Sequence, residues 1–422
     1  MTTRRRSIDS VSVHQVAGYR ILLQKTPMDT INVECAINAG FVTETKETAG
    51  ANHILEHILT ESWTKCGTTC SGYWSDKGVD MNASTDETVL LYHTRGTLNF
   101  MDQMIQYITS ICTHPVLKMK SLKKEKEAVI DEMLKYGNDP ECKLDQLFNE
   151  HFYTGGLVHK DSWKLHIDNL KHLSLARLQK IYEQNYNPRN LIFIVTGNFQ
   201  PNHVLPIFER ELLKRPLGPV HIPSSSCFTS QHGIYFSKEK SETTKIVLGF
   251  PSALTAHEPD AVLLNMLCGI LNDLLFSKLR TELTLVYGVR VLYNMNICGT
   301  AMLGVIYVRE KNVLKCLRAF FKTLTDFTKH LFPKQKLFAA KQRELYNYEN
   351  NLPYTNDYLI QYVHQINEAK PLLYSKKEKL QILSKVTLKK LQSLFKKLYN
   401  VEKCLLAYQG KNDLNLQWGD IL

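Results

Sequence analysis

The chain has 422 residues, 44% hydrophobic and 22% charged, a folded, globular composition too long for one ordinary core. Lysine and arginine number 52 against 41 aspartate and glutamate, a formal charge of +11. The runs Lys120–Lys126, Lys376–Lys379 and Lys389–Lys397 sit at helical spacing. Without a helix-turn-helix, zinc-finger or RNP motif they read as solvated helix faces, which argues against nucleic acid as a partner.

The first nine residues lack the apolar core of a secretory signal. Arg4, Arg5 and Arg6 would suit the start of a mitochondrial presequence, but Asp9 and the strand-like Val11–Val13 follow at once. The expected compartment is therefore the cytoplasm, with the mitochondrion as the alternative. Ten cysteines without framework spacing also predict a reducing compartment. Cys66 and Cys70 are expected as structural thiols rather than a second metal site. The longest apolar runs, Leu191–Val195 and Ala261–Leu275, are short or interrupted, so no membrane span is expected.

A strand-like run, Ile31–Ala39, leads to His53-Ile54-Leu55-Glu56-His57, an H-x-x-E-H pattern. On a helix, residues four apart project from one face, so His53 and His57 can share one ion, with Glu56 beside the same point. Thr85 and Tyr92 are expected as ordinary sheet members. Farther on, Val129, Ile130, Met133 and Leu134 make a helical apolar stripe that carries Glu125 and Glu132 two turns apart on a shared face. One of these carboxylates can complete a metal set while the other orients a histidine. An ordinary charged helix is the competing reading.

Tyr186-Asn187-Pro188-Arg189-Asn190 precedes an apolar strand, Leu191–Val195. Pro216, Gly218, Pro219, Pro223 and Ser224–Ser226 then break periodicity. The expected organisation is residues 1–215, a linker at 216–232, and residues 233–422. Each half opens on strands (Thr244–Phe250 in the second) and passes into helices such as Leu380–Leu398, which suggests a duplicated domain.

Taken together, these segments resemble the pitrilysin/insulinase family of inverzincin zinc metallopeptidases, of which mitochondrial processing peptidase is a member. The resemblance covers about residues 15–410. It implies an α+β fold of two homologous domains, each a mixed, mainly antiparallel sheet covered by helices, with the metal site in the first only. It also implies one Zn2+ per chain, held by His53, His57 and Glu132, with Glu56 as general base and Glu125 behind a ligating histidine. Gly78–Thr85 resembles the family's G-x-x-x-N-A-x-T strand, which assigns Asn82 and Ala83 to backbone pairing with an extended substrate. Leu279–Tyr287 resembles its L-R-E-x-x-G-L-x-Y element, which assigns Arg280 and Tyr287 to substrate binding. Asn52, Thr281 and Thr284 depart from the pattern, Thr284 standing where the family has Gly.

The implied activity is zinc-dependent hydrolysis of peptide or unfolded-protein substrates through metal-activated water, with the chain working as a homo- or heterodimer. The alternatives are a catalytically silent scaffold, like the respiratory-chain core proteins of this fold, and a basic nucleic-acid-binding protein.

Overall fold

The computed structural model describes residues 11–26, 29–153, 162–219, 228, 231–255, 258–296, 299–330, 334–350 and 376–422. The N-terminal arginines, Ser224–Ser226, Cys227 and Cys298 lie outside these residues. The chain forms two compact units, each a sheet with helices, and the architecture is α+β.

The first unit is built on a six-stranded sheet in the order β1-β2-β6-β3-β5-β4. The strands are β1 (Val11–Val16), β2 (Tyr19–Lys25), β3 (Thr30–Ile37), β4 (Asp80–Thr85), β5 (Leu90–Thr97) and β6 (Leu191–Gly197). Only β2 and β6 pair in parallel; every other neighbour is antiparallel. The parallel β6 is buried along its whole length, as a strand covered on both faces must be. β4, the outermost strand, instead alternates. Asp80, Asn82 and Ser84 are exposed, while Met81 and Ala83 pack against the core.

The helices of this unit are α1 (Ala51–Thr60), α2 (Cys70–Ser75), α3 (Met101–Thr113), α4 (Met119–Asn138) and, after α5 (Pro140–Phe152), α6 (Trp163–His172), α7 (Leu175–Asn185) and α8 (Pro201–Glu211). α1 presses Ile54, Leu55, Ile58 and Leu59 into a core that also holds Val33, Cys35, Phe193 and Ile105. On α4, Leu122, Glu125, Val129 and Met133 are buried on one stripe. Ile130 is only half-buried and Leu134 is exposed, so the inward stripe is turned from the one expected in the sequence. Cys66 and Cys70, expected as separate thiols, are joined as a disulfide, because the turn into α2 brings the two sulfurs together.

The second unit carries a five-stranded sheet, β7-β11-β8-β10-β9, from β7 (Gly233–Lys238), β8 (Thr243–Ser252), β9 (Val286–Asn296), β10 (Gly299–Arg309) and β11 (Leu405–Gly410). Its first and last strands pair in parallel and the rest are antiparallel. This is the topology of the first sheet without β1, the physical form of the repeat suggested by the sequence. α9 (Leu264–Leu275) follows β8 as α1 follows β3, but it presents Leu264, Leu267, Ile270 and Leu271 to its core and no metal-ligand pair.

Two features depart from the sequence reading. α5, which lies before residue 215, belongs to the second unit. Asp139 caps α5 and Pro140 opens it. Phe148 and Phe152 then lie against Gly249 of β8, where any Cβ would meet their rings at 2.5 and 2.6 Å. Gln409 of β11 donates to the Pro140 carbonyl at 2.7 Å. In addition, the helical run Pro259–Glu282 is 24 residues long and contains an 18-residue stretch with a mean hydropathy of 1.5, long and apolar enough to cross a membrane, against the expectation of no span. Its Leu264, Leu267, Leu271, Leu275 and Leu279 sit in the second unit's core, which accounts for the apolar content.

Candidate metal and catalytic site

With Ile54, Leu55, Ile58 and Leu59 facing inward, the helical repeat turns His53, Glu56 and His57 to the opposite face of α1. The two imidazole rings stand edge to face, their centres 4.9 Å apart. α4 brings Glu132 against them. One carboxylate oxygen, Oε2, lies 3.7 Å from His53 Nε2 and 3.5 Å from His57 Nε2. Ligand atoms of His53, His57 and Glu132 all lie within 4.8 Å of one another. Two imidazole nitrogens and a carboxylate oxygen converging on one point fit a divalent transition metal. The same donor classes, three from protein, are those of catalytic zinc.

Glu125, two turns before Glu132, places Oε2 3.5 Å from His57 Nδ1, the ring nitrogen turned away from Glu132. Its other oxygen lies 3.1 Å from Lys124 Nζ. A carboxylate at Nδ1 keeps the proton there and leaves Nε2 free to coordinate.

The acid–base character of the site follows from burial and neighbours. Burial, reinforced by the nearby His57, lowers His53 to about 4 against the pull of Glu132, so this ring is neutral near pH 7, the form that binds metal. Burial also pushes Glu56 above the ordinary carboxylate range, although a hydrogen bond from Thr85 opposes it. Burial would lower His57, but Glu132, Glu56 and Glu125 together raise it. The hydrogen bond with His57 holds Glu132 below its usual value.

Thr85 was expected to be an ordinary strand residue. It also donates its hydroxyl to Glu56 Oε2 at 2.6 Å. The available signal was its register: Met81, Ala83 and Thr85 share the face of β4 that turns toward α1. Tyr92 is structural, its hydroxyl 2.7 Å from that of Tyr186 within the core. The start of α1 was also not legible. Its N-cap residue is Gly50, at φ +90° and without a capping side chain. Glu44 takes the role from a distance: Oε2 accepts from the Gly50 amide at 2.9 Å and Oε1 from the Asn52 amide at 2.7 Å.

Asn82 and Ala83 lie on β4, at the outer edge of the first sheet. The Asn82 side-chain oxygen accepts from the Ala83 amide at 2.9 Å. Arg280 and Tyr287 lie in the second unit. There Arg280 donates to the Val286 carbonyl at 3.0 Å, and the half-exposed Tyr287 accepts from Arg309 Nε at 2.7 Å. Thr284 adopts φ +50°, the left-handed backbone that a Gly would take at less cost. The structure thus gathers His53, His57, Glu132, Glu56 and Glu125 within one unit.

A family profile described as insulinase (peptidase family M16) matches residues 20–160, and one described as peptidase M16 inactive domain matches residues 172–344. The chain belongs to the insulinase family. This insulinase-family chain is 22% identical over 283 residues to the uncharacterized zinc protease YmxG of Bacillus subtilis, covering 64% of the chain and 67% of that protein. It is 19% identical over 204 residues to the mitochondrial-processing peptidase subunit beta of Neurospora crassa, covering 47% and 42%. The crystal structure of a protease from Helicobacter pylori superposes with a TM-score of 0.82 at 15% identity, over 95% of this chain and 100% of that one, a likeness of fold.

Proposed function

We propose that this insulinase-family protein is a zinc-dependent endopeptidase acting on extended polypeptides. The observation that carries the reading is the convergence of His53, His57 and Glu132 donor atoms within 4.8 Å, with Glu56 on the same helix face. His53, His57 and Glu132 would hold one zinc ion per chain, which supplies Lewis acidity and lowers the pKa of water.

The chain's own groups supply the rest. Glu56, raised by burial, accepts a proton from the attacking water at its carboxylate and returns it to the departing amine nitrogen. Thr85 Oγ1 holds one oxygen of Glu56, which orients the other toward the proton to be taken. Glu125 keeps His57 in one tautomer. β4, the edge strand of the first sheet among the described residues, would offer backbone groups at Asn82 and Ala83 to an extended chain, which reads peptide backbone more than side chains. Arg280 and Tyr287 would contact substrate. The beta subunit among the relatives supports a dimer, with itself or with a different chain.

A catalytically silent scaffold is the second reading, favoured by the inactive-domain profile that matches residues 172–344. The complete set of three ligands and a base in the first unit favours the enzyme. The deciding measurement is the zinc content of the purified protein, with hydrolysis of an unfolded polypeptide before chelation, after it, and after zinc is restored. One zinc per chain with chelator-sensitive cleavage is expected. Stoichiometric zinc without cleavage would leave the scaffold.

A further inference from the structure

The two ligating histidines depend on a helix whose first turn is held by groups outside it. α1 begins at Gly50, which has no side chain to cap the free amides of that turn. Glu44 closes them, each oxygen taking a different amide, Gly50 at 2.9 Å and Asn52 at 2.7 Å. The amide of Ala51 donates instead to the Thr48 carbonyl at 2.9 Å.

Asn52, immediately before the first ligand, grips in the opposite direction. Its Nδ2 donates to the Gly40 carbonyl at 3.1 Å and to Thr43 Oγ1 at 3.3 Å. Its Oδ1 accepts from Asn185 Nδ2, at the end of α7, at 2.9 Å. Asn190 in turn donates to the Asn185 carbonyl at 3.1 Å. Asn52 and Asn185 are both buried, so each lost bond leaves a polar group without water to replace it. The loop at 40–44 is itself fixed, with Phe41 and Val42 amides donating to the Asp86 and Glu87 carbonyls at 3.1 and 2.9 Å.

We infer that Glu44 and Asn52 are positioning residues for the metal site. They lock the first turn of α1 to the 40–44 loop and to α7, and so set where His53 and His57 stand relative to Glu132 on α4. A ligand pair on one helix and a third ligand on another meet only if the two helices keep their offset. A shift of a few tenths of an ångström at the first turn is carried to both imidazoles together. The inference rests on the zinc reading of the site.

The test compares zinc affinity, by competition with a chromophoric chelator, in wild type, Glu44→Gln, Asn52→Ala, Asn185→Ala and the Asn52→Ala/Asn185→Ala double variant. Glu47→Gln, an exposed carboxylate on the same loop, is the control. The Glu44→Gln change would turn an amide nitrogen toward a helix N–H that needs an acceptor, while filling the same volume. Glu44→Gln and Asn52→Ala should weaken zinc binding about tenfold or more and alter the visible spectrum of the cobalt(II)-substituted protein. Near-UV circular dichroism of the apo forms should be retained. Because Asn52 acts partly through Asn185, the double variant should lose less than the two single losses combined.

Zinc affinities within twofold of wild type, with only the melting temperature lowered, would reduce both residues to fold stabilisers and overturn the inference. Asn185→Ala removes one bond from outside α1 and keeps the test decisive if Glu44→Gln does not fold. Wild-type protein that binds no zinc sinks the metal reading and this inference with it. Wild type that binds zinc but cleaves nothing sinks the peptidase reading, while the variant affinities still decide this one.

Discussion

Glu125 touches the site through a single ligand, which makes its removal a clean measure of how much orientation contributes. Its Oε2 lies 3.5 Å from His57 Nδ1, and its Oε1 lies 3.1 Å from Lys124 Nζ. Replacing it with leucine fills nearly the same buried volume but removes the acceptor, so His57 can turn its ring or switch the proton to Nε2. Losing such an outer partner costs metal sites about 10–100-fold in affinity. The 3.5 Å separation is long for a charge-assisted hydrogen bond, which places Glu125→Leu at the lower end, about tenfold, or about 1.4 kcal/mol. Glu125→Gln keeps an oxygen that can accept from Nδ1 and loses only the charge, so its loss should be about threefold, below the single-decade value. Chelator-competition titrations at pH 7 on wild type and both variants, with apo unfolding curves as a control, give the order directly. Should Glu125→Leu bind zinc as tightly as wild type, the carboxylate does not orient His57 and the reasoning fails.

Other outcomes follow from single contacts. Glu56→Gln should hold zinc within about twofold of wild type and lower peptide hydrolysis by about 10²–10⁴; cleavage near the wild-type rate would remove Glu56 as the base. Gly40→Ala should cost at least about 3 kcal/mol in urea unfolding, because its Cβ would run into the backbone carbonyls of Asp86 and Glu87. Gly269→Ala, inside α9 with nothing within 4 Å of its Cβ, should instead gain about 0.5–1 kcal/mol.

Burial alone would raise Asp260, but Lys390 at 2.5 Å and Lys397 at 3.3 Å outweigh it and hold the carboxyl below its ordinary value. A depressed carboxyl stabilises the fold above its unfolded pKa, near 4, and that contribution disappears as pH falls through the lower folded value. Lys390→Met/Lys397→Met should therefore lose stability at pH 7 and show a shallower further loss between about pH 4 and pH 2 than wild type. Parallel unfolding curves for the two proteins across that range would contradict it.

The H-x-x-E-H pentad was legible because a helix repeats within four residues. Once His53, Glu56 and His57 stand in that spacing, with Ile54, Leu55 and Ile58 between and beside them, local periodicity sets which face is polar and which is buried. The apolar β6 stood out as a short unbroken apolar run, whereas β4 was within reach only through family likeness. Glu125 and Glu132 stood out together by helical spacing, but which of them completes the set with His53 and His57 was within reach only through family likeness, since no local rule links α4 to α1.

Pairings between segments far apart in the chain had no such signal and emerged with the folded molecule. Thr85 reached Glu56 because β4 lies under α1. Glu44 capped α1 from beyond the usual N-cap offset because a loop folded back over Gly50. Asn52 met Asn185, at the end of α7, in a buried hydrogen bond. α5 crossed to the second unit because its Phe148 and Phe152 fit over Gly249, a glycine on a strand laid down about a hundred residues later. Period and local chemistry are set within a turn or two of chain. Which helix lies on which strand is set by the packing of whole faces, and that appears only when the chain is folded.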